Sequence, residues 1–141
     1  MPEMNSIGLI ELSSIAAGYL VGDAMLKAAD VELLLSRSIC SGKYIVMVGG
    51  DVAAVRASVD AGTVSGTGMV IDTFVIPHVH KDVFPAISGV SQVQMLEALG
   101  IVEAFSVASL IEAADAAVKT ANVRLIEIRL AMHSAEKRSS H

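Results

Sequence analysis

The stretch Ile7–Arg37, IGLIELSSIAAGYLVGDAMLKAADVELLLSR, slid forward by 92 positions, lands without a gap on Leu99–Arg129, LGIVEAFSVASLIEAADAAVKTANVRLIEIR. Gly8 falls on Gly100, Glu11 on Glu103, Ser14 on Ser106, Ala16 on Ala108, Asp23 on Asp115, Lys27 on Lys119, Val31 on Val123 and Arg37 on Arg129. Roughly a third of the aligned positions are identical and most others exchange one apolar residue for another, the mark of tandem copies of one small domain. Two whole copies at this spacing need about 184 residues, and the sequence runs to His141. A complete first copy and a partial second one are therefore expected.

Within the first copy, Ile7–Leu12 is an apolar run interrupted by Glu11 and predicts a strand buried on at least one face. Ser13 or Ser14 can cap a helix over Ile15–Ala29, in which Asp23 and Lys27 stand four apart as an ion pair. Gly18 and Gly22 are also four apart, read either as room for a close backbone approach or as simple tolerance of glycine. Val31–Leu35 predicts a second strand, Ser36–Lys43 a polar loop and Tyr44–Val48 a third strand. Gly49-Gly50 turns the chain, and Asp51 caps a helix from Val52 to Ala61. Gly62–Gly68 reads as a flexible connector, with neither the glycine spacing nor the preceding strand of a dinucleotide fingerprint. Met69–Ile76 predicts the fourth strand, ended by Pro77, and Lys81–Ser88 a short helix containing Pro85.

Strand, helix, strand, strand, helix, strand is the split βαβ order of a ferredoxin-like α+β fold, a four-stranded antiparallel sheet with helices on one face. The expected division is a complete domain over residues 5–90, a linker over 91–98, a truncated second domain (strand, helix, strand) over 99–131 and a polar tail over 132–141. In this order the third strand lies between the first and second, and the second copy lacks it. That fragment calls for a strand from a partner or stays loosely ordered, and the tail reads as that of a truncated or frame-shifted product.

Composition narrows the function. Over half the residues are apolar, 18% are charged and there is no Trp, a surface that favours side-by-side association. A net charge of −5, without a Lys/Arg cluster before the tail, argues against nucleic acid. No run approaches the roughly 18–20 apolar residues of a membrane span. Met1–Ser6 does not resemble a secretory leader, and with one cysteine the chain reads as cytoplasmic and disulfide-free. No Ser/His/Asp grouping, phosphate loop or metalloprotease motif is present, so no enzyme activity is expected. Glu11 and Glu103 are one structural position appearing twice rather than a catalytic pair.

Ile7-Gly8-Leu9-Ile10-Glu11, Gly22-Asp23-Ala24-Met25-Leu26-Lys27-Ala28-Ala29 and Gly49-Gly50-Asp51-Val52-Ala53-Ala54-Val55 resemble, in that order, the shell proteins of bacterial microcompartments. The resemblance covers positions 7 to 130, and the doubled domain is similar to the tandem class whose trimers form pseudohexameric tiles. Within that class it resembles the propanediol-utilisation type that carries an iron-sulfur cluster at its central pore. The resemblance implies that Ser38, Ile39, Cys40, Ser41, Gly42 and Lys43 form the pore loop, with Cys40 as cluster ligand. It also implies that Lys27, and Lys119 in the second copy, lie at the edge between neighbouring tiles. The Pro-Arg-Pro-His edge motif of many such domains stands here as Pro77-His78-Val79-His80, without the arginine.

These implications weigh against plainer readings. A lone intracellular Cys is ordinarily a small buried hydrophobe, but Cys40 lies in a Ser/Gly loop between two strands. Around a threefold axis, Cys40 from three subunits supplies three thiolates to a 4Fe-4S cluster; otherwise it merely lines the pore. Lys43 and Arg37 either attract anions and offset cluster charge or are solvated loop charges. His78 and His80 form an HxH pair without a third ligand nearby, so an edge contact is preferred to a metal site. The function expected is a structural shell protein whose pore holds a cluster for electron transfer across the shell. Two alternatives stand beside it: a shell protein with an open metabolite pore, and a small-ligand sensor on a ferredoxin-like fold. The expected partners are copies of the chain, as a trimer, or as a hexamer if only the first domain folds, together with other shell proteins.

Overall fold

In the computed structural model, which describes residues 4–39, 42–89 and 95–130, the repeated N-terminal stretch supplies an inner strand of the sheet. β1 (Ser6–Leu12) pairs antiparallel with β3 (Lys43–Gly50) on one side and with β4 (Val70–Ile76) on the other. β2 (Glu32–Ile39) pairs antiparallel with the far edge of β3, giving the order β2-β3-β1-β4. The expected four-stranded antiparallel sheet is present, with β3 between β1 and β2.

β1 is buried on both faces, because alternate residues feed two cores. Ile10 and Leu12 join Val46, Val48 and Tyr44 beneath α1 (Ile15–Ala28) and α2 (Val52–Ser65). Ile7 and Leu9 join Ile45 and Met47 on the opposite face. Successive side chains of a strand point to opposite faces, so a run that is apolar at nearly every position specifies a strand covered twice. Both helices start at caps legible in the sequence: Ser14 Oγ accepts from Ala17 N at 3.3 Å and Asp51 Oδ1 from Ala54 N at 2.8 Å. Each satisfies an amide that has no partner within its helix.

Several element boundaries differ from the sequence reading for physical reasons. Gly49 and Gly50, expected as a turn after Val48, continue β3 because they pair with Ile7 and Ser6 of β1. β2 extends through Ile39 instead of stopping at Leu35, because Ser36, Arg37, Ser38 and Ile39 pair with Val46, Ile45, Tyr44 and Lys43. Polar residues are accommodated there because this is an edge strand. α2 continues through Gly62 to Ser65, where a flexible connector was expected. Gly62 is a packing residue: a Cβ on it would stand 2.6 Å from Ile10 Cδ1 and 2.7 Å from Met25 Cγ. Gly18 likewise makes room for the Tyr44 ring, whose Cδ1 would stand 2.2 Å from an added Cβ, rather than for another backbone.

The second copy keeps its helix and not its strands. α4 (Val107–Thr120) forms behind the Ser106 cap, at the position the repeat dictates. Residues 99–104 and 123–130, expected as strands, form no ladder among the described residues. No counterpart of β3 lies between them among the described residues, and a strand without a partner leaves its amides and carbonyls unpaired. Instead the second copy packs on the first. Ile111, Ile128 and Leu130 are buried together with Val79, Val83 and Ala86, the last two from α3 (Val83–Ser88), on the sheet face away from α1 and α2. Ile128 N donates to Ala86 O at 3.0 Å. The sheet thus carries α1 and α2 on one face and the second copy on the other.

Candidate functional site

The β2–β3 hairpin narrows to residues 40–42, because Ile39 is paired with Lys43. Gly42 takes φ +77°, a left-handed conformation that a side chain disfavours and that closes short hairpin loops. Cys40 and Ser41, the centre of the expected pore loop, lie outside the described residues. Of the rest, Ser38 and Ile39 belong to β2 and Lys43 to β3, so the loop proper is shorter than the sequence suggested. Lys43 Nζ lies 3.7 Å from Glu11 Oε1, a half-exposed ion pair beside the hairpin tip.

Arg37 points elsewhere. Alternation along β2 puts it on the same face as Ile39, and its Nη2 donates to Leu130 O at 3.2 Å. Its Nε is buried without a hydrogen-bond partner among the described residues. Its repeat counterpart Arg129 is exposed, and its hydrogen bond to Glu127 raises its pKa above the usual guanidinium value. On the other face, Ser36 Oγ and Tyr44 Oη share a hydrogen bond of 2.6 Å. Sequence reasoning missed both fastenings of β2, since nothing local to Arg37 points to a residue in the second copy.

The expected edge residues fall into two groups. Lys27 sits on the outer side of α1 with its ammonium 2.7 Å from Asp23 Oδ2, both side chains well exposed. His78 and His80 follow β4 in a loop, so strand alternation does not apply to them, and no metal-holding group of three or more His, Cys, Asp or Glu occurs among the described residues. His78 has φ 53°. Its carbonyl accepts from Lys119 Nζ at 2.7 Å, while His80 N donates to Asp115 Oδ1 at 2.7 Å. Lys119 and Asp115 are themselves paired at 2.6 Å. The Pro77–His80 loop is thus gripped by the second copy's version of the Asp23–Lys27 pair, a contact the sequence did not disclose.

With the hairpin and the Pro77–His80 contact placed, comparison with known proteins identifies the domain. Residues 6–79 and 98–137 both match the BMC domain. This chain belongs to the BMC-domain family of bacterial microcompartment shell proteins. That two separate segments match one domain accounts for the repeat. The chain is 50% identical over 126 residues to the shell protein PduT of Citrobacter freundii, a match covering 89% of this chain and 68% of that protein. It is 38% identical over 93 residues to PduA of Salmonella typhimurium, covering 64% of this chain and 99% of PduA. A crystal structure of a microcompartment protein from Desulfitobacterium hafniense superposes with a TM-score of 0.89 at 53% identity, covering 92% of this chain and 72% of that one. In this BMC-domain chain no helix among the described residues is long and apolar enough to cross a membrane.

Proposed function

We propose that the chain is a shell tile whose pore is bordered by the β2–β3 hairpin, and that Cys40 of three copies holds a 4Fe-4S cluster there for electron transfer across the shell. The observation that carries this reading is that the single cysteine follows in sequence directly after Ile39, whose pairing with Lys43 closes the β2–β3 hairpin, in a chain 50% identical to PduT over 126 residues. The surroundings suit the group. A thiolate-ligated cluster carries net negative charge, and the Lys43 ammonium lies beside the tip of the same hairpin. One thiol per chain means that the ligand set exists only around a symmetry axis, which makes the assembly a condition of the chemistry. The chain's own residues would anchor the iron through Cys40, offset its charge through Lys43 and fix the hairpin through the Ser36–Tyr44 hydrogen bond. The cluster, when bound, would supply a one-electron carrier.

The test is iron and acid-labile sulfide content, with visible absorption, of anaerobically purified protein beside Cys40→Ala, and particle mass by light scattering. A broad band near about 400 nm that the variant lacks, on particles of trimer size or larger, is the expected result for thiolate-ligated iron. Iron-free particles of the same size would overturn the cluster and leave an open pore. A small closed oligomer that never extends into sheets would overturn the tile itself in favour of a ligand sensor.

A further inference from the structure

His80 stands where the loop after β4, α3 and α4 meet, and three of its polar groups each hold a different one of them. Its N–H donates to Asp115 Oδ1 of α4 at 2.7 Å, and its carbonyl accepts at 3.0 Å from Val83 N, the first residue of α3. Its ring Nδ1 accepts from Asp82 N at 3.1 Å, which closes the loop on itself. α3 in turn supplies Val83 and Ala86 to the core in which Ile111 of α4 is buried, and Ala86 O accepts from Ile128 N. The setting of residue 80 therefore bears both on the second copy's helix and on the surface that helix covers.

The ring bond depends on the proton count. A nitrogen that accepts a hydrogen bond carries no proton, so this geometry requires a neutral imidazole with its proton on Nε2. A second proton goes to Nδ1 and sets two donors against each other across 3.1 Å. The acceptor nearest to hand is then the Asp82 carboxylate, whose Oδ1 lies 3.9 Å from Nδ1, too far for a hydrogen bond unless the ring or the backbone of residues 80–82 turns. Asp82 precedes α3 without making a side-chain cap bond, so no capping contact holds its carboxylate back.

The titratable and charged groups around the ring are Asp82 and the exposed His78 and Lys81 on its own loop, and Asp115 and Lys119 on α4, with exposed Glu112 one turn before Asp115. α3 contributes none, and Asn5, whose carbonyl holds Val79 N at 2.7 Å, is neutral. An imidazolium gains the Asp82 carboxylate and loses the Asp82 amide, and it adds positive charge to the loop that the Lys119 ammonium already grips.

We propose that His80 is a pH-sensitive clasp: neutral, it fixes the loop that holds α4, and protonated, it turns to the Asp82 carboxylate and loosens α4 from the first copy. The contact is complete above the range in which an unperturbed imidazole titrates, about pH 6.5, and weakens as pH falls through it. No residue of the β2–β3 hairpin takes part, so the clasp works with or without a cluster.

The experiment measures amide hydrogen exchange of the full chain from about pH 8 to about pH 5.5, a window above the ordinary carboxylate range. Rates are corrected for intrinsic exchange, and circular dichroism checks folding. Protection of the α4 amides is expected to fall about tenfold across the window, the effect of one hydrogen bond, together with that of the Asp82 amide. His80→Asn supplies an Oδ1 that accepts from the amide two residues on and does not titrate, so its α4 protection is expected to hold at one value. His78→Asn, tolerated at the left-handed φ of 53°, is expected to keep the fall. Asp82→Asn removes the carboxylate but not the amide and is expected to move the fall to lower pH. Nitrogen NMR of the ring gives a second reading, in which Nδ1 of the neutral form is unprotonated. α4 protection that is constant with pH, a fall that survives His80→Asn or vanishes in His78→Asn, a fall unmoved by Asp82→Asn, or a neutral ring protonated on Nδ1 overturns the proposal.

Discussion

Replacing Ile111 with Ala and Tyr19 with Ala changes the same repeat position in two environments, so the pair isolates the contribution of packing α4 against the first copy. Ile111 is wholly enclosed between α4 and the face formed by Val79, Val83 and Ala86. Truncation to Ala removes three carbons, about 2.4 kcal/mol at roughly 0.8 kcal/mol per buried CH2. A partly collapsed cavity brings the total to about 2.5–4 kcal/mol. Tyr19 is largely solvated, and its main contact is the Tyr44 ring at a centroid distance of 5.7 Å and an interplanar angle of 38°. Losing it should cost about 0.5–1 kcal/mol. Urea denaturation of both variants reads the difference if unfolding is cooperative. If α4 instead detaches by itself, native-state hydrogen exchange reads it as α4 amides exchanging about 100-fold faster or more, since about 1.4 kcal/mol is a factor of ten. Equal effects of the two substitutions by both methods, or an Ile111→Ala change below about 1 kcal/mol, would refute the claim that the second copy is packed into the first copy's core.

Three other outcomes follow from the geometry. Gly62→Ala should destabilise by about 1–3 kcal/mol despite the better helix propensity of Ala, because its Cβ would overlap Ile10 and Met25. Gly22→Ala, whose Cβ would meet nothing closer than Val46 Cγ1 at 3.8 Å, should be neutral or stabilising by up to about 1 kcal/mol, and thermal melts of the two separate packing from propensity. Ser58→Ala deletes the buried hydrogen bond to the Met25 carbonyl at 2.9 Å that ties α2 to α1, and should cost about 1–2 kcal/mol in denaturant titrations. Lys27→Ala breaks only an exposed pair, so stability should move by less than about 0.5 kcal/mol, while electron microscopy should show fewer extended sheets if Lys27 lies at a tile edge.

What was legible in the sequence was whatever depends on local pattern. The apolar run at Ile7–Leu12, the Ser14 and Asp51 caps and the strand order all follow from pattern along the chain, and the structure holds each of them. The extension of β2 to Ile39 was not legible, because Ser36, Arg37 and Ser38 look like loop until their partners on β3 are known. The helical continuation through Gly62 was hidden for a similar reason. A glycine that admits Ile10 and one that loosens a loop are the same letter. At the candidate pore, the polar stretch Ser36–Lys43 marked Lys43 as bordering a loop but gave no hint that Arg37 is turned toward Leu130.

The repeat itself shows where such reading ends and why. Sequence identity aligned Asp23 with Asp115 and Lys27 with Lys119, but identity cannot say which copy is docked, since both helices carry the pair. The difference lies in what faces them. Alternation along β1 leaves Ile7 and Leu9 on a sheet face that α1 and α2 do not cover, and an apolar face of that kind cannot remain in water without a substantial cost. Residues 99–104 and 123–130 have no pairing partner among the described residues, and the second copy's apolar residues gain more by covering the first copy's open face than by staying solvated. Ile128 and Leu130, written as the inside of a strand, become part of the core of a neighbouring domain while Arg129 between them stays in solvent. The two-residue period survives although the ladder does not, because burial on one side, rather than strand pairing, is what the alternation encodes.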